Sequence, residues 1–109
     1  MVDESIVIIV KNYLNKLENA GFENCFAVIF GSQVSGKNDL WSDIDLLIVS
    51  PVFDQGIKRE YVNMLWRIAA GTDSRIEPVP VGKLQYDTDD GNAIIEIARR
   101  YGKIISNAA

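Results

Sequence analysis

Three short apolar runs, residues 24–30, 43–49 and 75–81, are separated by segments whose apolar residues recur at helical spacing. This alternation constrains the chain most, because runs of that length fit buried strands and the intervening segments fit helices laid against them. Ile6, Ile9, Val10, Tyr13, Leu14 and Leu17 predict a first helix, with Asp3 or Ser5 as its cap and Gly21 as its stop. The first strand, from Asn24, ends at Gly31. Ser32 to Leu40 is short and polar, with Gly36 and Asn38 as breakers, and predicts a turn plus a short helix. Ser50-Pro51 closes the second strand, and Ile57, Tyr61, Met64, Leu65, Ile68 and Ala69 mark another amphipathic helix, closed by Gly71.

The third run carries Pro78 and Pro80, two apart, so both missing N–H groups fall on one lateral side. Such a strand is predicted at a sheet edge, paired mainly through its other flank. Asp87 to Asp90 is the predicted cap region of a last helix bearing Ala93, Ile94, Ile97, Ala98 and Tyr101. Gly102 then turns the chain into a short strand, Lys103 to Ser106. The expectation is an α/β (α+β mixed) chain in the order αβαβαβαβ, a mixed four-stranded sheet backed by helices, forming one domain over residues 1–109.

Charge removes several functions. The chain carries 11 basic and 15 acidic residues, a formal net charge of −4, with the cations scattered, so strong non-specific binding to DNA or RNA is not expected. There is no His, which excludes His-based metal sites and catalytic triads and leaves carboxylates, hydroxyls and cations. The single Cys25 sits in an apolar run and reads as a small core residue. No apolar run is long enough for a membrane helix and the first residues are acidic, so a cytoplasmic protein is expected.

The chemistry concentrates between Phe30 and Val49. Asp43 and Asp45 are one residue apart at the start of a strand, so both carboxylates share a face and Ile44 takes the other. Their Cα atoms then lie about 6–7 Å apart. At an effective dielectric of 20, the two charges repel by roughly 3 kcal/mol. A bridging cation relieves that repulsion, and hard oxygen ligands suit Mg²⁺. An Asp-x-Asp alone also fits two solvated acids or a turn cap. Its context adds Gly31, which lets a phosphate approach the main chain, Ser32, which offers a hydroxyl, and a following helix start with free N–H groups. Gly31-Ser32 alone also fits a plain strand-ending turn.

Gly31-Ser32, ten residues, then Asp43-Ile44-Asp45 resembles the signature of the DNA polymerase β-type nucleotidyltransferase superfamily, and the spacing and short chain most resemble its minimal nucleotidyltransferase group. The resemblance implies a third carboxylate on a later strand. Glu77 is the only acid inside the third run, and Asp73 in Gly-Thr-Asp-Ser is the fallback. The family more often has Asp there, and Glu77 could instead pair with Arg75 at the rim. Two Mg²⁺ ions on Asp43, Asp45 and Glu77, with ATP as donor and pyrophosphate as product, follow from the resemblance, with Glu77 or Asp45 taking the acceptor's proton.

Relatives often carry Arg soon after the Gly-Ser pair. Here the loop is Gln33-Val34-Ser35-Gly36-Lys37, so Lys37 is its only basic candidate for phosphate, alongside Lys58 and Arg59 further on. Trp41 could stack on a base or cover the loop over the core. The resemblance also implies a helical HEPN-type partner in a toxin–antitoxin pair, with AMP transferred to the partner. With no acceptor domain in the chain, the acceptor is expected from that partner or across a homo-oligomer interface. A binding module that kept the fold but not the reaction is the competing reading.

Overall fold

The computed structural model describes residues 2–37, 39 and 41–107; Asn38, and Leu40 at the end of the polar stretch, lie outside the described residues. Asp3 rather than Ser5 starts the first helix, α1 (Glu4–Asn19): its Oδ1 accepts from the Ser5 main-chain N–H at 2.8 Å. Ile6, Val10, Tyr13, Leu14 and Leu17 form its buried face. The buried Tyr13 hydroxyl donates to the Leu65 carbonyl at 2.8 Å, which ties α1 to helix α3 (Arg59–Ala70).

Four strands, β1 (Phe26–Phe30), β2 (Ile44–Ser50), β3 (Ile76–Gly82) and β4 (Lys103–Ile105), make one sheet in the order β3-β2-β1-β4. β1 is antiparallel to both β2 and β4, while β2 and β3 are parallel and joined through α3. The sheet is therefore mixed, as expected. β1 begins two residues later than the sequence suggests, since Asn24 has a positive φ of 54° and cannot extend the ladder. β2 runs through Ser50, whose hydroxyl then accepts from Val52 N–H at 3.1 Å to start the 3₁₀ turn Pro51–Phe53.

β3 is an edge strand, as its prolines require. The Arg75 carbonyl accepts from Ile44 N–H at 2.8 Å, so the odd-numbered main-chain groups face β2 and the imino nitrogens of Pro78 and Pro80 face outward. The prolines thus leave the β2 ladder intact and blunt the open edge.

Alternation along the strands makes two cores. Ile44, Leu46, Ile48, Ala27 and Ile29 pack with α1 and α3 through Leu14, Leu17, Leu65 and Ala69. Val28, Leu47, Val49 and Val81 pack with Tyr86, Ile95 and Ala98 from two helices on the opposite face, α4 (Lys83–Thr88) and α5 (Ala93–Tyr101). Helix α4 departs from the simple αβ alternation. Asp87 lies inside it, and the cap of α5 is Asn92, whose Oδ1 accepts from Ile94 and Ile95 N–H at 3.0 and 3.1 Å. Between β1 and β2 stands one further turn of helix, α2 (Ser32–Ser35). No helix among the described residues is long and apolar enough to cross a membrane.

Gly102, where α5 gives way to β4, is packed too tightly for a side chain. A Cβ there would meet the Ala98 carbonyl, Val28 Cγ1 at 2.5 Å and the Ile29 carbonyl at 2.9 Å. Gly102→Ala is expected to lose about 1–3 kcal/mol of stability through overpacking, read as a lower urea midpoint at unchanged slope.

Candidate active site

Asp43 sits just before β2 and Asp45 is its second residue. The pleat sends Ile44 fully into the α1/α3 core and turns both carboxylates to the other face, with Asp43 exposed and Asp45 half-buried. Register then brings in Glu77. Phe30 lies opposite Asp45 on one flank and Glu77 lies opposite it on the other, so the three form one row across the sheet.

Glu77 responds to its neighbours. Burial first, then the charge of Asp43 and the hydrogen bond and charge of Asp45, push its carboxyl above the ordinary glutamate range. A pairing with Arg75 would push the other way. The Arg75 guanidinium instead grips Asp73, with Nε to Oδ1 at 3.0 Å and Nη2 to Oδ2 at 2.9 Å. Asp73 also accepts from Arg75 N–H at 2.9 Å, which closes the turn before β3. The fallback Asp73 is thus a turn residue and Glu77 is the acid beside the Asp pair.

Gly31 walls this row. Its φ of 76° and ψ of −147° suit glycine, and a Cβ at Gly31 would fall on the Asp45 carboxylate. Its carbonyl accepts from Val34 and Ser35 N–H, both at 3.1 Å, to start α2. Because α2 is four residues long, it adds little of the dipole expected from a helix start. Ser32, half-buried, is its first residue.

The loop residues fare differently. Lys37 is exposed beyond Gly36 and makes no ion pair among the described residues. Lys58 stands 5.6 Å from the Tyr61 ring centre, and Arg59 is exposed at the start of α3. Trp41 does not cover the core: it is 81% exposed, held outward by a turn in which its N–H donates to Asp39 Oδ1 at 2.8 Å.

Gln33, noted in the sequence only as standing in an arginine-poor loop, is 2% exposed. Its Nε2 donates to the carbonyls of Ser42 and Asp43, both at 3.3 Å, and its Oε1 has no partner among the described residues. No sequence pattern marks it, because burial of an amide on a one-turn helix depends on packing from elsewhere. A groove of about 470 Å³, lined by Phe30, Gly31, Val34, Ser35, Ile97 and Tyr101, adjoins the row at Gly31.

Among the described residues, no three acid, thiol or imidazole groups converge into a metal-holding cluster. Glu77 therefore stands beside the Asp pair without closing a ligand set. The donor chemistry still fits a hard divalent cation: three carboxylates, one of them pushed up by burial and then by like charge, against a residue with no side chain in the way.

Residues 8–105 of the 109 match the family model of the nucleotidyltransferase domain. No curated protein matches the chain.

The raised Glu77 carboxyl has a definite pH signature. The folded chain holds that proton more tightly than the unfolded one, so its contribution is complete below the ordinary glutamate value and is lost as pH rises through the raised one. In metal-free buffer, Glu77→Gln is expected to flatten the fall in urea midpoint as pH rises above the ordinary glutamate value. An unchanged pH slope would show that like-charge crowding is absent.

Proposed function

This chain belongs to the nucleotidyltransferase domain family, and on that premise we propose that it moves AMP from ATP onto a hydroxyl of a partner protein, releasing pyrophosphate. The observation that carries the reading is the row Asp45–Glu77, with Asp43 beside it and Gly31 as its wall. Asp43 and Asp45 would hold Mg²⁺ at the triphosphate, and Glu77 with them a second ion near the acceptor. When bound, Mg²⁺ neutralises the phosphate oxygens and makes the attacking hydroxyl more acidic.

The chain's own groups do the rest. The bare Gly31 Cα leaves room for a phosphate to lie against the main chain, and the Ser32 hydroxyl and the Lys37 ammonium donate to it. The acceptor oxygen bonds to the α-phosphorus as the bond to the bridging oxygen of the β-phosphate breaks, and the electron pair leaves with pyrophosphate. The acceptor's proton passes to the Glu77 carboxylate, the acid beside the Asp pair, in the general-base role.

The acceptor fits a helical HEPN-type protein, with this chain as the antitoxin of a cytoplasmic pair. What supports a protein partner is an apolar stripe on α5, where Ile94, Ile97 and Tyr101 are 47%, 49% and 66% exposed, continued by Ile104 on the edge strand β4. That surface also favours a second reading, a binding module that neutralises its partner without chemistry.

Incubation with ATP labelled at the α-phosphate, Mg²⁺ and a candidate HEPN-type partner separates the two. Transfer of label is expected, falling at least about 100-fold in Asp43→Asn and Asp45→Asn, the equivalent of several kcal/mol of transition-state charge stabilisation. No transfer by the wild type, with neutralisation intact in both variants, would leave the binding module standing.

A further inference from the structure

Asp43 lies outside the β2 ladder, which begins at Ile44, so strand pairing alone does not hold it. The segment before it is a turn closed on itself: Asp39 N–H donates to Ser42 Oγ at 2.8 Å, and Ser42 Oγ donates to Asp39 Oδ1 at 3.2 Å. What joins this turn to the helix behind it is the Gln33 amide. Its Nε2 reaches the carbonyls of Ser42 and Asp43, one on each side of the Asp43 Cα.

This arrangement is expensive. Gln33 is 2% exposed and its Oε1 is buried without a partner among the described residues, whereas an apolar side chain of the same length would fill the space with no orphaned acceptor. Gly31, two residues earlier on the same turn, meets the Asp45 carboxylate. The single turn α2 and its cap Gly31 thus touch both members of the pair, Asp45 through a missing side chain and Asp43 through a buried amide.

We propose that Gln33 is a positioning residue, whose buried amide fixes the main chain at Asp43 and so sets the spacing of the two carboxylates for a divalent cation. The role rests on the reading of Asp43 as a metal ligand. Gln33 touches neither cation nor substrate. It acts through the Asp43 main chain, as partners behind a metal ligand generally do.

Gln33→Met keeps the length of the side chain and removes both donors together with the orphaned acceptor. Mn²⁺ binding, followed by the electron paramagnetic resonance signal of the free ion, is expected to weaken about 10–100-fold. The Mg²⁺ concentration for half-maximal transfer should rise by a similar factor while kcat at saturating Mg²⁺ changes far less. A folded Gln33→Met that binds Mn²⁺ within about twofold of wild type, with Asp43→Asn unable to bind, overturns the positioning role alone. Undiminished Mn²⁺ binding by Asp43→Asn overturns the metal reading and this role with it.

Should Gln33→Met fail to fold, the wild type supplies the measurement. The Gln33 side-chain NH₂ should exchange slowly with solvent and shift on addition of Mg²⁺. An NH₂ pair exchanging as fast as that of the exposed Asn63, and indifferent to Mg²⁺, overturns the proposal.

Discussion

Strand β2 is gripped on both flanks, antiparallel by β1 and parallel by β3, and everything at the site is placed by that double ladder. A strand paired on one side can slip, and a slip of one residue would exchange its two faces. Here Ile44, Leu46 and Ile48 are committed to the α1/α3 core, each fully buried. Asp45 is therefore committed to the other face, opposite Glu77, as firmly as the core is committed to its own packing. Burial of each aliphatic side chain contributes about 1.5–3 kcal/mol, comparable in size to the repulsion of two carboxylates at this spacing. Apolar packing on one face holds the acids together on the other.

That balance explains the state of the acids. Burial first, and then the charges of Asp43 and Asp45 on the same face, disfavour the ionised Glu77 carboxyl and raise its proton affinity. The nearby guanidinium does not relieve it, since Arg75 is engaged with Asp73.

The parts legible in the sequence were those set by short-range periodicity. The alternation in Asp43-Ile44-Asp45, the helical faces of α1 and α3, and the outward side of Pro78 and Pro80 each follow from spacing alone, and the sheet bears them out. Helix α5 instead turns Ile95 and Ala98 inward and leaves Ile94, Ile97 and Tyr101 exposed. Glu77 could be named because it is the only acid of its strand, but its alignment with Asp45 needed the β2–β3 register. Helix α4 was invisible. Lys83–Thr88 has too little apolar period to declare itself, and it is held by tertiary contacts: Leu84 N–H on Asp54 Oδ1 at 3.0 Å, and Tyr86 edge-on to Phe26 at 5.4 Å. Its presence moved the cap of α5 from the Asp87–Asp90 stretch to Asn92. Gln33 carries no signal in the sequence for a related reason, since burial of a polar residue after Gly-Ser is set by the core packed around it.

The site stays open because of where α5 stops. Helix α5 covers the middle of its sheet face, packing Ile95 and Ala98 with Val28, Leu47 and Val49. The carboxylate row lies at the end of that face, level with Phe30. Tyr101 is the last residue of the helix, and at Gly102 the chain presses onto Val28 and the Ile29 carbonyl before pairing with β1 as β4. That close approach admits no side chain, so the turn ends the helix and seats the last strand at once. The same stop leaves a groove between α2 and α5 whose inner wall is Gly31, the residue that also backs Asp45. Access to the acids and the seating of β4 are thus two results of one contact at Gly102.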